Sequence, residues 1–293
     1  MKKMFMAVIA MMMTISASAQ FYIYCSDGNV IKVDSISMIA PEESEQPNPS
    51  AGIGTFSISA DKQVTFSKGN LQYTQSTNTW SFAENQYDYL GEANIAIDAD
   101  VLADKVDLFG WSTSATYFGV STSMDDNDYS GSFVDWGANT IGDYAPNTWR
   151  TLTNGEWGYL LNNRPNASSL KGVAQVNGVN GLIFLPDNWT CPSGVTFKSG
   201  FHNNSGVDYY AAYQTFTAAE WSKLEAAGAV FLPAAGIRDG SSVSSVQYYG
   251  SYCSATGLPG NDLCYFCFFS DEAYRYNIYR YIGRSIRLVK DLQ

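Results

Sequence analysis

Histidine is nearly missing from this chain: one residue in 293, His202. Ser-His-Asp and Cys-His catalysis both need an imidazole. Here it could only come from "SGFHNNSG", a loop-like stretch with no Gly-x-Ser-x-Gly elbow. Basic charge is also scarce. Lys and Arg number 17 against 28 Asp and Glu, a net charge of -11 that argues against nucleic acid and against an anionic membrane surface as partners. Cysteine is sparse and odd in number (Cys25, Cys191, Cys253, Cys264, Cys267), with irregular spacings that do not form a disulfide framework. Cys264 and Cys267 make a CxxC, but "LCYFCFF" reads as a strand rather than a helix start. Residues three apart on a strand point to opposite faces. There is no second CxxC to complete a zinc site. The carboxylates are scattered, so no glycosidase pair stands out.

Long apolar runs are missing too, except at the start. Lys2 and Lys3 precede an apolar stretch from Met4 to Ile15, and Ala17-Ser18-Ala19 fits a small-x-small cleavage site. Residues 1–19 are therefore expected to be a secretory signal peptide, and a transmembrane segment is not expected. The expected destination is periplasmic, cell-surface or extracellular. What the chain has in excess is aromatic and small polar residues: aromatics are 15% of the chain, equal to all charged residues together.

Residues 20–39 read as two short strands around Ser26-Asp27-Gly28-Asn29, a β-hairpin. Residues 40–52, "APEESEQPNPSAG", are a Pro-, Glu- and Ser-rich linker. The remainder, 53–293, is the main domain. Its first part alternates apolar and polar residues (Phe56, Ile58; Val64, Phe66; Leu71, Tyr73; Trp80, Phe82), as short antiparallel strands do. Asn85 to Trp149 is long and loop-rich. Two helices are announced by the same start signal, Thr153-x-x-Glu156 and Thr217-x-x-Glu220, each a capping box whose Glu is followed by Trp. Gly228 is placed to end the second. Strands follow at Gly181–Pro186, Ala229–Gly236 and Ser285–Val289, and the fold class is α+β.

"WRTLTNGEWGYLLNNR" (Trp149 to Arg164), "GAVFLPAAGIRDG", "GSYCSAT" and the terminal "GRSIRLV" come in a fixed order along the chain. Together they resemble formylglycine-generating-enzyme-like domains, a variant of the C-type-lectin-like fold. "VTFSKGNLQYTQSTNTWSFAENQYDYLG" and "DLFGWSTS" are similar to exported surface proteins of Gram-negative anaerobes that carry this domain. The resemblance runs from Phe56 to Lys290. It implies a lectin-like scaffold of short antiparallel strands, two helices and long loops. The enzymes of that family use a Cys pair five positions apart near the C-terminus. Here Cys264 and Cys267 are three apart, and Cys253 stands where relatives commonly have Trp, so the catalytic pattern is not reproduced. The expectation is a binding protein, with a related oxidase or a structural, fimbrial-type subunit as the alternatives.

A narrower resemblance concerns the tail. Variable proteins of diversity-generating retroelements end in a hypervariable segment before "G-x-S-V-R-L-V". Their exchangeable codons do not reach Lys, Glu, Gln, Trp or Met. In Leu263 to Ile282 only Glu272 falls outside the reachable set, where ordinary composition would put about four such residues. The segment is dense in Tyr, with Ser, Asn and Arg, a composition shared with paratopes. The resemblance implies that it faces a protein or glycan ligand. The candidate contact residues are Cys253, Cys264, Tyr265, Cys267, Phe269, Tyr274, Tyr276, Asn277, Tyr279 and Tyr281; Phe266, Phe268, Ile286 and Leu288 are the candidate core. No other cofactor is expected, but Asp126, Asp128 and Ser130 in "DNDYSG" form the first half of an oxygen-ligand calcium loop. The residue at the twelfth position is Gly137 rather than Glu, so an acidic surface turn is the competing reading.

Overall fold

The structure, a computed structural model, describes residues 21–24, 30–33, 54–95, 97–98, 101–102, 105–258 and 262–292. The signal-peptide and linker assignments, and Cys25, lie outside these residues. The chain falls into two units, Met1–Pro47 and Asn48–Gln293. In the first, Phe21–Tyr24 and Val30–Val33 pair antiparallel, Phe21 opposite Val33 and Tyr24 opposite Val30, as the hairpin signal implied.

The second unit is α+β, built from short strands in small sheets with few helices. A central sheet runs in the order Thr215–Phe216, Lys171–Val176, Val179–Phe184, Val230–Pro233, with only its first pair parallel. A second sheet joins Val289–Asp291, Gln63–Phe66 and Phe56–Ser57, and a third joins Thr79–Phe82, Leu71–Thr74 and Lys105–Val106. The tail sheet consists of Gly250–Gly257, Asp262–Phe268 and Ala273–Tyr279, all antiparallel, in chain order. Among the described residues no helix is long and apolar enough to cross a membrane.

Both expected helices are present with both capping boxes complete. Thr153 and Glu156 cap α1 (Asn154–Gly158), which runs on into a π-helical turn at Tyr159–Asn163. Between them in sequence lies α2 (Asp208–Tyr213), and Thr217 and Glu220 cap α3 (Ala218–Ala226). The Trp after each capping Glu anchors its helix: Trp157 and Trp221 are both fully buried, in two different apolar clusters. Gly228 takes φ +91 just beyond α3, a conformation an L side chain rarely adopts. Helix α2 has no side-chain cap and was not legible in the sequence. It is held by tertiary contact, with Tyr210 fully buried and its hydroxyl donating to the Tyr248 carbonyl at 3.0 Å.

The terminal stretch expected as one strand, Ser285–Val289, is instead a connector. Only Val289–Asp291 is a regular strand. Upstream of it the backbone bonds to a different segment at almost every residue. Gly283 exchanges bonds with Arg238, and Arg284 with Phe109. Ser285 bonds to Ser251 and Cys253, Ile286 accepts from Leu71, and Leu288 accepts from Ser67. Val289 exchanges bonds with Arg150. No single ladder forms because five segments share one run. Ile286 and Leu288 are fully buried, as expected of core residues.

Candidate functional site

The tail sheet decides where the aromatic segment points. In its central strand, Phe266 and Phe268 face the main core. Phe266 stacks on Trp157 with centroids 4.8 Å apart, and both rings lie within 6.5 Å of Tyr252. The opposite parity, Leu263, Tyr265 and Cys267, is covered by Trp111 and Tyr129, with Phe133, Tyr249, Tyr274, Ile278 and Tyr281 packed around them. The strand is therefore buried on both faces. This relocates four of the candidate contact residues. Cys253 and Cys267 are fully enclosed, and Tyr265 and Cys264 are each only 6% exposed. They support the surface rather than form it: Cys264, Tyr265 and Cys267 are on a middle strand between two paired neighbours and two packed layers, and Cys253, on the neighbouring strand, is packed in the core.

The outer strand, Ala273–Tyr279, is the sheet's edge, and most of what remains exposed is on it. Tyr276 is 56% exposed and Tyr279 49%, and Arg275 and Asn277, on either side of Tyr276 in sequence, are also exposed. Register fixes their sides. Tyr274 and Tyr276 stand opposite Cys267 and Tyr265, while Arg275, Asn277 and Tyr279 stand opposite Phe266, Cys264 and Asp262. Asn277 and Tyr279 therefore share a side with each other but not with Tyr276. The expected single face is two patches meeting along one strand edge. On one side Tyr276 packs edge-on to Tyr265 and Tyr274, and Tyr274 lies near Phe269. Phe269 in turn meets Tyr248 and Tyr249, two half-buried residues that the sequence reading did not single out. At the strand's end Tyr279 and Tyr281 stack at 5.5 Å with ring planes 10° apart. On the other side the Arg275 guanidinium donates to the Asn154 carbonyl at 2.9 Å, tying the edge to the start of α1.

Beneath the Tyr274–Tyr276 patch lies an apolar layer that also holds buried arginine side chains. Arg284 is buried, its Cζ 4.2 Å from the Tyr265 ring centroid and its Nη1 donating to the Ile282 carbonyl at 2.7 Å. Burial pushes the Cys253 thiol up to about 12 and the Cys267 thiol up to about 11. Arg284 acts in the opposite direction on both and does not overcome burial. Both sulfurs are thus held protonated at neutral pH, the reverse of what an activated nucleophile needs. Cys253 and Cys267 are free thiols.

The acidic turn serves the tail by another route. The Asp126 carboxylate accepts from the backbone N–H of Arg280 at 2.8 Å and of Tyr281 at 3.3 Å, so it clamps the end of the tyrosine run. Asp128 accepts from the Ser123 hydroxyl, and Ser130 is exposed. Among the described residues no group of three or more His, Cys, Asp or Glu side chains could hold a metal ion. The calcium-loop pattern is a short 3-10 turn, Asp126–Tyr129, capped by Asp125. His202 lies stacked on Tyr209 at 4.4 Å, its Nδ1 accepting from the Asn204 amide.

No family model, no curated protein and no solved structure matches this chain.

Proposed function

We propose that the protein is an exported ligand-binding protein that presents the edge strand Ala273–Tyr279 and its flanking tyrosines to a protein or glycan, on a C-type-lectin-like scaffold. The observation that carries this reading is the exposure of Tyr276 and Tyr279 on the outer strand of a three-stranded sheet whose central strand is packed on both faces. Rigid support is what an aromatic contact surface needs, because Tyr then offers large amphipathic area at little entropic cost. The resemblance of the tail to hypervariable segments deepens the reading. Exchanges at the exposed Tyr276, Asn277 and Tyr279 are compatible with the packing, whereas exchanges at the buried Phe266 and Phe268 are not. The buried, protonated thiols weigh against the oxidase alternative.

The test is binding of the labelled mature chain to a glycan array and to cultured cells, repeated with Tyr276→Ala/Tyr279→Ala. The expected result is at least about tenfold weaker binding by the double variant at an unchanged melting temperature. Equal binding by the variant would remove the edge strand from the reading. In the neighbouring DNA, a near-copy of the tail's coding sequence differing mainly at adenines would support diversification.

A further inference from the structure

A second concave region opens where Val289–Asp291 and Gln63–Phe66 meet the loop carrying Tyr144. It has a volume of about 380 Å³, and no residue of the tail sheet lines it. Cavities of this size accommodate a small ligand or one unit of a larger one. Phe82, Tyr144 and Trp149 make an aromatic corner: Phe82 and Tyr144 each meet Trp149 edge-to-face at 5.3 Å. Trp149 is largely buried, and among the described residues its indole N–H has no hydrogen-bond partner. Tyr144 is 45% exposed, an unusual position for a ring that is part of a packed cluster.

The cleft has its own charge. Lys68 and Lys290 both line it, both are exposed, and neither makes an ion pair among the described residues. The carboxylate among its lining residues, Glu225, accepts from the Gln86 side-chain amide at 2.9 Å. Two free ammonium groups against one engaged carboxylate make a locally cationic cleft on a chain whose net charge is -11. Lysines act on anions as point charges rather than as planar forks. Aromatic rings set edge-to-face offer apolar area to the flat face of a ring.

We propose that this cleft is a second binding site, for a pyranose ring carrying a carboxylate, such as one hexuronate unit of an acidic glycan. The ring's C–H face lies against Tyr144 and Trp149, and its carboxylate lies toward Lys68 and Lys290. The site is separate from the edge strand and does not rest on that reading.

Isothermal titration of the mature chain with an oligogalacturonate tests it, with the corresponding neutral galactose oligomer and benzoate as comparators. The expected result is saturable binding of the uronate, with the neutral oligomer at least about tenfold weaker. Lys68→Ala/Lys290→Ala should abolish that preference for the acid, and Tyr144→Ala should weaken both sugars. Tyr276→Ala/Tyr279→Ala should bind the uronate as the wild type does, which separates this site from the edge strand. All these side chains are exposed, and a melting curve for each variant checks that it folds. Four results would overturn the proposal: no uronate binding up to about 1 mM; equal binding of the neutral oligomer; binding untouched by both cleft variants; or benzoate displacing the uronate at lower concentration, which would assign the cleft to aromatic acids.

Discussion

Phe266 and Tyr276 differ little in composition terms, yet they occupy opposite extremes of the tail. Phe266 is fully enclosed between Trp157, Phe184 and Tyr252, so Phe266→Ala leaves a cavity and should cost about 3–5 kcal/mol of stability in denaturant unfolding. Tyr276→Ala removes a side chain that is mostly in water and should change stability by only about 0.5 kcal/mol. Equal losses would contradict the assignment of supporting and presenting strands. The thiols give an independent check. In the folded protein an alkylating reagent should modify the exposed Cys191, while Cys253, Cys264 and Cys267 should react only after denaturation, as mapped by mass spectrometry. Sequence parity alone could not separate these cases, because both sides of "LCYFCFF" are apolar. Which side was covered, and by what, depended on Trp111 and Tyr129, more than a hundred residues earlier in the chain.

At the scale of elements, the tail is held by segments that arrive from elsewhere as well as by its own strand pairing. Asp126 is the clearest case. Its pattern with Asp128 and Ser130 resembles the start of a calcium loop, but its carboxylate is engaged by the amides of Arg280 and Tyr281. Asp126→Ala should therefore raise hydrogen exchange at those two amides by roughly tenfold or more, and Asp126→Asn, which keeps an acceptor oxygen, should restore most of the protection. Added calcium should leave both exchange rates unchanged; calcium-dependent protection would favour the metal reading instead. The two capped helices were legible because a capping box is local, its donors and acceptors within four residues. Helix α2 was not, because nothing local starts it and its stability comes from burying Tyr210.

At the scale of the whole molecule, the buried carboxylate of Asp107 gives a measurable signature. Asp107 is fully enclosed, and burial pushes its carboxyl from the usual 3.8 up to about 6, even though the Asn94 amide and the Leu90 backbone N–H donate to it. Because the folded state holds this proton more tightly than the unfolded chain, its contribution is most favourable below about pH 4. It is lost as pH rises through about 6. Two pH units correspond to about 3 kcal/mol. Asp291 works in the opposite sense, held below its usual value by hydrogen bonds from Arg150. The wild type should therefore be compared with Asp107→Asn by denaturant unfolding at pH 4 and pH 7. On lowering the pH from 7 to 4, the wild type should gain roughly 3 kcal/mol relative to the variant. A difference independent of pH would mean that Asp107 ionises normally.

By itself the sequence determined what is local: the antiparallel patterning of Phe56 to Phe82, both capping boxes with their buried tryptophans, the glycine that ends α3, and the pairing of the N-terminal hairpin. Each depends on spacing of two to four residues, which chain geometry converts directly into structure. Only the tertiary structure decided which tyrosines of the tail reach the surface, that "GRSIRLV" ties five segments together rather than joining one ladder, and that the acidic turn clamps the tail. Those outcomes depend on which distant segment supplies the covering ring or the donor N–H. Such pairings are set by the cost of leaving buried polar and apolar groups unmatched, which no short window of the chain contains.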